Sequence, residues 1–585
     1  MQSVGLDARI VKVASGGLDE SFLWENVADP IAMRRIERSM KRFSTDGDGA
    51  VLGEGGEFET LVINGPQSLF KGRIEVSEES RVIVREGGGA AWLRIRHAQV
   101  VMKDSNESTN SECRIPQLLE PRFSEVLDFL VNDSNDSGSP QSSLNADSTS
   151  TSLRTAIQPV TQTAMSNICH WTVSAKGQNP VLSVVEQATE LIADIRRLLV
   201  ENSLKPTDII STIIILRSMD DFAAVNKIYS ALFSEPNPPS RVTISCGDML
   251  PTNTHLIIHL KVSKPDIPSQ SSPQMRKALH VQSRSYWAPA NIGPYSQAIS
   301  TLVASTAESQ EDEIWTVAVA GQIPLIPHAM SLPATTTNEG GDLLGDFKHQ
   351  VVLALQHLWR IGQEMDVAWW TSAVAYLPRA SADTNTSRAA IAGQAWRYLH
   401  RRPIADDDLD DGEGRDLWEE KHYAGMENRG GRRLSKMLPD WDVVKPHGDR
   451  GEPIPPFFAV EVEELPRKSG VEWHAHLGVV NGPVELHLII HGGEWAIYQS
   501  SFGGTLQSVV MINYMKSPSS LRKAVDEVFK VLCLETTDER NWHSSYLDVS
   551  IQEALEPRLF GCAIPCRSIW DISGKRLGAC LILGT

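Results

Sequence analysis

The chain has 585 residues, with 55 Lys and Arg against 73 Asp and Glu, which gives a formal net charge of −18. This length predicts several domains, because one domain usually takes about 100–200 residues. The acidic balance argues against general nucleic-acid binding, since phosphate contacts need clustered cations. The 7 cysteines are scattered along the chain, which favours a reducing compartment, so we expect a cytoplasmic protein.

No export signal or membrane span is predicted. Asp7 and Arg9 stand where a secretory signal needs an unbroken apolar core. The longest apolar runs, such as 213–216, are far shorter than the roughly 20 residues of a membrane helix. We therefore expect neither secretion nor membrane insertion.

Residues 1–103 combine strand and helix patterns. An apolar strand is predicted at 8–14, a helix at 30–43, and short strands at 60–63 and 81–84. These are too few elements for a complete doubly wound sheet, so this α/β region is expected to be only part of one.

Residues 104–160 are rich in Ser, Asn, Asp and Thr. Such a composition lacks the apolar side chains needed to offset the entropy of ordering the chain. We predict a disordered linker here, interrupted by a short helix near 123–131.

Beyond the linker an order of elements recurs, which predicts internal repeats of α+β type. The first repeat, 161–265, has the order βαβαββ, and the second, 278–480, follows the same order with an insertion at 400–452. The insertion has many charges and few apolar residues, which is typical of an exposed, poorly ordered excursion. For residues 484–585 a third, degenerate repeat is a hypothesis.

An acidic, glycine-rich motif, GEGGEFET, occupies residues 53–60. Glycines allow backbone amides to approach a ligand, and clustered carboxylates can hold a metal ion, an ammonium group or an amine. An ordinary acidic hairpin turn explains the same residues equally well. The candidate pocket residues are Gly53, Glu54, Gly55, Gly56, Glu57, Glu59 and Thr60.

The segments GLDARIVKVASGGLDES (5–21) and GEGGEFETLVINGP (53–66) resemble the C-terminal half of the ATP pyrophosphatase domain of diphthine–ammonia ligases. The resemblance implies a truncated Rossmann-like (HUP-type) half-domain and a reaction that uses ATP and Mg²⁺. ATP would activate the diphthine carboxylate of translation elongation factor two, and ammonium would supply the amide nitrogen. Glu54, Glu57 and Glu59 would bind Mg²⁺ or ammonium, with Thr60 in support.

One element of that family is expected before the matched region, namely a strand followed by the pyrophosphate-binding loop SGGKDS. This chain begins after that point. Residues 15–21, SGGLDES, follow an apolar strand as such a loop should, but Glu20 inserts a residue and a negative charge. The alternative is a helix-entry turn capped by Ser or Asp.

A second resemblance rests on PANIGPYSQAI (289–299), VAGQIPLIP (319–327), FFAVEVEELP (457–466) and MDDFAAVNKIYSALF (219–233) with the PSR that ends at Arg241. These segments are similar to the RidA, or YjgF/L-PSP, family, whose fold is chorismate-mutase-like. The resemblance implies trimers with clefts between neighbouring subunits. In each cleft an arginine holds a substrate carboxylate and a glutamate assists the attack of water on an imine.

The family positions are divided among the repeats. Arg241 stands at the arginine position of the first repeat, and Arg567 stands there in the third. The second repeat has Tyr295 and Ser296. We predict an intrachain pseudo-trimer in which Tyr295 faces Arg241 or Arg567 and a cleft binds a carboxylate. The alternative is that both arginines make structural salt bridges or caps.

The second repeat departs from the pattern, with Phe457 read at the arginine position and His474 at the glutamate position. No cysteine or histidine spacing forms the paired set of a structural zinc site, so no metal ligands are predicted. The resulting interpretation is an ATP-dependent diphthine–ammonia ligase. The alternatives are a non-catalytic RidA-like small-molecule-binding or scaffold protein, such as a truncated isoform, and an imine deaminase.

Overall fold

The structure is a computed structural model that divides into two compact bodies, residues 1–117 and residues 118–585. Each body is treated by itself below, as the N-terminal body and the main body. The residues that the structure describes are 5–13, 18–40, 58–66, 70–85, 91–103, 116–133, 160–165, 168–175, 182–264, 276–304, 313–334, 343–402, 438–446, 454–491, 493–532, 542–550 and 562–584.

The N-terminal body contains a four-stranded sheet in the order β2-β1-β5-β4 and a separate two-stranded sheet of β3 and β6. Its elements are β1 (Asp7–Val13), α1 (Pro30–Met40), β2 (Phe58–Asn64), β3 (Gly72–Glu75), β4 (Arg81–Arg85), β5 (Ala91–Ile95) and β6 (Gln99–Met102). Ile10 and Val13 of β1 pack with Ile36 of α1 in its core, so the predicted strands and helix are confirmed.

The sheet of this body differs from the expected half-domain. All pairings among its described strands are antiparallel, whereas a Rossmann-like sheet is built mainly from parallel strands. The truncated Rossmann-like architecture is therefore not confirmed in the part of the body that the structure describes.

The helix expected inside the linker is α2 (Pro121–Asp133), and it belongs to the core of the main body. Phe123, Val126 and Leu130 are buried, because they share one face of α2 at helical spacing. This face packs on two long helices, α5 (Leu343–Glu364) and α6 (Ala382–Leu399). The helix predicted near 123–131 is therefore present, and it packs in the core of the main body.

The first repeat is a five-stranded sheet, in the order β10-β9-β11-β8-β7, covered by two helices. Its elements are β7 (Val160–Met165), β8 (Ile168–Ser174), α3 (Val184–Glu201), β9 (Ile209–Leu216), α4 (Phe222–Ser230), β10 (Ser240–Ser245) and β11 (Leu256–Ser263). The β9–β10 pair is parallel and the other pairs are antiparallel. A capping box at Ser183 and Glu186 begins α3.

The second repeat has the same sequence of pairings divided between two sheets. Its strands are β12 (Arg276–Leu279), β13 (Ala298–Ala304), β14 (Ile314–Val319), β15 (Trp369–Trp370), β16 (Ala373–Leu377), β17 (Val444–Pro446), β18 (Phe457–Glu461), β19 (Glu472–Ala475) and β20 (Gly478–Val480). As β9 does with β10, β16 pairs in parallel with β18, and β19 pairs antiparallel on its other side.

Residues 484–585 contain the same order again. The strands run β25-β24-β27-β23-β22, with β24–β25 parallel and the remaining pairs antiparallel. The elements are β21 (Val484–His491), β22 (Trp495–Phe502), β23 (Thr505–Asn513), α7 (Pro518–Val531), β24 (Trp542–Asp548), β25 (Ala563–Cys566), β26 (Ser568–Asp571) and β27 (Arg576–Gly584). This matches the pairing order of the first repeat.

The described end of the insertion is ordered. Leu438 is fully buried, and its carbonyl accepts a hydrogen bond of 3.0 Å from the Trp359 indole. Strand β17 pairs with β21. The expectation of an exposed excursion is therefore wrong for residues 438–446, because apolar side chains anchor them. Residues 403–437 and 447–453 lie outside the described residues.

One apolar cluster joins the first repeat, the second repeat and residues 484–585. It contains Val242 and Ile257 of the first repeat, Val460 of the second, and Ile564 and Ile582 of residues 484–585, all at most 2% exposed. Strand β18 of the second repeat pairs with β26, which makes these two regions part of one sheet, and this sheet shares a core with the sheet of the first repeat. The opposite face of the first sheet packs on its own helices.

Candidate functional site

Arg241 lies on β10 at the junction of the first and second repeats. Its guanidinium is stacked among aromatic rings, 5.1 Å from the ring centre of Tyr295, 5.5 Å from Tyr229 and 5.7 Å from Phe222. Its Nη1 donates a hydrogen bond of 2.7 Å to the Asn226 side-chain oxygen. Among the described residues no carboxylate forms an ion pair with it, so its charge remains available to a ligand.

Tyr295 and Ser296 come from the loop before β13 of the second repeat. The structure thus brings Tyr295 against Arg241 of the other repeat, as the pseudo-trimer prediction requires. Ser296 is fully buried, and its hydroxyl has no hydrogen-bond partner among the described residues. A Cβ on Gly293 would lie 2.5 Å from the Arg241 Nη2, so only glycine allows the loop to approach the guanidinium this closely.

Glu472, the first residue of β19, supplies a carboxyl group to the same junction. It is 3% exposed, and its carboxylate occupies the space where a Cβ of residue 321 would stand, which Gly321 leaves open. The Gly321 amide in turn donates to the Arg241 carbonyl at 3.0 Å. The residues of the predicted cleft therefore come from both repeats: Arg241 from one, and Tyr295, Gly321 and Glu472 from the other.

Burial dominates the electrostatics of this cleft. Desolvation raises the pKa of Glu472 to about 8, although the positive charge of Arg241 and the Thr243 backbone N–H oppose the rise. Burial also raises the pKa of Tyr295, which Arg241 counteracts. Burial lowers the pKa of Arg241, but a guanidinium starts so high that it stays charged. A fixed cation thus lies beside a buried carboxyl group whose pKa is raised well above its ordinary value.

Glu472 was not recognised from the sequence, and the assignment of His474 to the glutamate position stays a prediction. Side chains of β19 alternate: Trp473 and Ala475 enter the core of the repeat, while Glu472 and His474 lie on the other face. Glu472 and His474 are both consistent with the alternation of side chains along β19. They differ in that Glu472 contacts Gly321.

Two further positions behave differently from the family pattern. Phe457, at the arginine position of the second repeat, is buried, with its ring 5.3 Å from that of Trp473. Arg567 of the third repeat donates from Nε to Glu463 at 2.9 Å. It is therefore held in the structural salt bridge that the alternative interpretation expected.

The acidic motif of the N-terminal body is described only in part. Glu59 and Thr60 are exposed on β2, and Glu59 pairs with Lys12 at 3.0 Å. Gly53, Glu54, Gly55, Gly56 and Glu57 lie outside the described residues. Since the one described acid already has a cation partner, the described residues do not form a fitting Mg²⁺ site.

The described part of the SGGLDES segment, residues 18–21, forms a capped helix-entry turn, which was the alternative to a phosphate-binding loop. Asp19 caps a short 3-10 helix at Glu20–Phe22, accepting from the Ser21 amide at 2.9 Å. Glu20 is paired with Arg85. Both acids therefore have structural partners.

The described ranges show neither a metal-binding cluster nor a membrane-spanning helix. No group of three or more His, Cys, Asp or Glu is arranged to hold a metal ion. None of the helices there combines the length and apolar character needed to cross a bilayer.

Two domain families match the chain. Residues 2–99 match the diphthamide synthase C-terminal domain, and residues 170–258 match the family described as endoribonuclease L-PSP. The chain thus combines a region that matches the diphthamide synthase C-terminal domain with a region that matches the L-PSP family.

Two relatives are similar to a larger part of the chain. The chain is 29% identical over 385 residues to a diphthine–ammonia ligase of Schizosaccharomyces pombe, covering 64% of this chain and 54% of that protein. It is 26% identical over 356 residues to the diphthine–ammonia ligase of Saccharomyces cerevisiae, covering 60% and 47%. The chain therefore spans about half the length of these relatives.

Solved structures of the YjgF type also resemble part of the chain. A YjgF-family protein from Neisseria meningitidis matches with 20% identity and a TM-score of 0.16, covering 17% of this chain and 82% of that one.

Proposed function

We propose that the chain takes part in the ATP-dependent amidation of diphthine on translation elongation factor two, with ammonium as nitrogen donor. The match of residues 2–99 to the diphthamide synthase C-terminal domain carries this proposal, and the two ligase relatives support it. Substrate, partner and activity all belong to the proposal, because the matched length is about half of each relative.

Within the N-terminal body, Glu54 and Glu57 are the proposed ligand-binding acids. Glu59 already neutralises Lys12 at 3.0 Å, which leaves the preceding two acids of the motif for ammonium. No step is assigned to Mg²⁺, since the described acids do not form a metal site.

The test is a reaction of the full chain with ATP, ammonium and diphthine-bearing elongation factor, read by mass spectrometry of the factor. We expect the amide product, and a lower rate in the double variant Glu54→Gln, Glu57→Gln. Glu79→Gln is the matched control, because Glu79 is an exposed acid of the same body outside the motif. Absence of product with the unaltered chain contradicts the ligase proposal; equal rates in the variants contradict the role of the motif.

We also propose that the three repeats form a pseudo-trimer within one chain. The shared apolar core and the contact of Arg241 with Tyr295 across repeats support this arrangement. One chain would then supply all three sheets that RidA-like trimers draw from three subunits. Light scattering is expected to give the mass of a single chain, and a trimer of chains would contradict the proposal.

A second function, binding of a small carboxylic acid, is supported by the cleft itself. Arg241 lacks a carboxylate partner among the described residues and lies beside the buried Glu472. A planar guanidinium binds a carboxylate through two parallel hydrogen bonds, which an ammonium cannot reproduce. In calorimetric titrations with pyruvate and butyrate, Arg241→Lys is expected to weaken binding by about tenfold or more.

The matched control is Arg567→Lys, the same substitution at an arginine held in a salt bridge outside the cleft. Equal affinities in the two variants would contradict carboxylate binding at Arg241. An imine-hydrolysis assay then separates a binding cleft from an imine deaminase, because a carboxyl group with a pKa of about 8 can transfer a proton near neutral pH. Turnover that disappears in Glu472→Gln would favour the deaminase.

A further inference from the structure

A polar cavity lies where the three repeats meet. Its walls come from β8, β9, β10 and β11 of the first repeat, β14 and β19 of the second, and β23, β24 and β27 of the third. The cavity has a volume of about 60 Å³. Since one water needs about 10–15 Å³, the cavity has room for about four waters or one small ion.

The charged residues that line this cavity are cations. Lys261 and Arg241 contribute to it together with four histidines, and no Asp or Glu is among the described residues that line it. Histidines 259 and 476 are hydrogen-bonded through both ring nitrogens, so they are structural. His170 also has an interaction partner, and Arg241 donates to Asn226, so Lys261 and His474 are the groups considered for a ligand.

Lys261 occupies the centre of a polar row. In the sheet it is directly opposite His170 of β8 on one side and Ser211 of β9 on the other. Alternation along β11 places Lys261 on the same face as Ile257, which belongs to the shared core of the three repeats. The side chain therefore points towards the interior and not towards bulk water.

This lysine has no counter-ion in the part of the chain that the structure describes. Among the described residues no carboxylate lies within ion-pair distance of it, and burial lowers its pKa to about 8. At pH 7 the amine still holds its proton about nine times out of ten. A buried ammonium without a partner is unfavourable, which an anion in the cavity would relieve.

Two other groups at the cavity lack partners. The Nδ1 atom of His474 and the side-chain carbonyl oxygen of Gln507 have no hydrogen-bond partner within the described residues, and both residues are at most 8% exposed. Nearly all buried polar atoms in folded proteins are hydrogen-bonded. A ligand that both accepts and donates hydrogen bonds would therefore satisfy the site.

We propose that this cavity binds a small tetrahedral oxyanion, of which inorganic phosphate is the simplest. Lys261 supplies the charge, His474 and Ser211 bind oxygens, and Gln507 accepts from a protonated oxygen. A nucleotide does not fit, because the space admits only about four water-sized groups. Arg241 borders the cavity as well, but its guanidinium lies over the Tyr229 ring, on the opposite face of β10 from the core residue Val242. The anion site at Lys261 is therefore distinct from the proposed carboxylate cleft.

The test uses the full chain in buffer free of phosphate and sulfate, with phosphate binding measured by equilibrium dialysis and by the rise in unfolding temperature. Lys261→Met is expected to weaken phosphate binding by about tenfold or more and to raise the unfolding temperature of the anion-free protein. Lys530→Met is the matched control at an exposed lysine of α7, and it is expected to bind like the unaltered chain.

Arg241→Gln distinguishes the two sites. If Arg241→Gln retains its phosphate affinity, the result supports the cavity as the binding site. If Arg241→Gln loses phosphate binding while Lys261→Met binds phosphate normally, the proposal is overturned. A crystal grown with selenate gives a measurement that needs no variant: an anomalous peak next to Lys261 is expected. No binding of phosphate, sulfate or selenate by the unaltered chain also overturns the proposal.

Discussion

Replacing Glu472 by Gln is expected to remove a pH-dependent loss of stability. In the folded chain burial holds the pKa of this carboxyl group at about 8, against an ordinary value of 4.5. Between these values the unfolded chain releases the proton while the folded chain keeps it. Stability from this group is therefore fully present below pH 4.5 and is lost as pH rises towards 8.

The size of the effect follows from the same two values. At about 1.4 kcal/mol per pH unit, the interval from 4.5 to about 8 corresponds to about 5 kcal/mol. Glutamine has nearly the same shape and does not ionise. The variant should therefore gain stability relative to the unaltered chain, progressively, as pH is raised across this interval.

The measurement is chemical unfolding of both proteins at pH 5, 6, 7 and 8, values that lie inside or at the edge of this interval. All other titrating groups are common to the two chains, so they cancel in the difference between unfolding midpoints. Glu190→Gln, at an exposed position of α3, is the matched control for the chemical change. Unfolding curves whose separation stays constant with pH would show that Glu472 is not buried at the junction of the repeats.

Three other substitutions test separate parts of the structure. Gly321→Ala is expected to destabilise the main body by roughly 1–3 kcal/mol, because the new Cβ would overlap the Glu472 carboxylate. Thermal unfolding measures the loss of stability, and unchanged stability would contradict the close packing of Gly321 and Glu472. Phe123→Ala in α2 should cost about 3–5 kcal/mol, against less than about 0.5 kcal/mol for the half-exposed Val131→Ala; similar effects of the two changes would place α2 outside the core. Arg567→Gln removes a partly exposed salt bridge, so a loss of about 1 kcal/mol or less is expected in the same assay, and a larger loss contradicts a surface role.

Most elements of the fold could be predicted because their apolar periodicity is local. The strand at 8–14 and the helix at 30–43 are present within a few residues as β1 and α1. The packing partner of α2 could not be predicted, because its apolar face contacts α5 and α6 more than 200 residues away. A short apolar helix within a polar segment has the composition of a linker whether or not the helix packs on another part of the chain.

The two halves of the cleft were predictable to different degrees. Arg241 and Tyr295 lie in segments that resemble a known family, and their contact follows if neighbouring repeats pack as subunits do. Glu472 shares a strand face with His474, so alternation alone permits either residue at the cleft. Their surroundings decide: a glycine opens space for the carboxylate, while the imidazole faces the central cavity.

The glycines connect the sequence to the chemistry of the cleft. At Gly293 a side chain would collide with the guanidinium, and at Gly321 it would collide with the carboxylate. Both glycines belong to the second repeat, whereas the arginine belongs to the first. An arginine of one repeat therefore requires two small residues in the next, and this pairing exists only at the junction of the first two repeats among the described residues. The other junctions have Phe457 in an apolar core and Arg567 in a salt bridge, so a single cleft of this kind is expected for each chain.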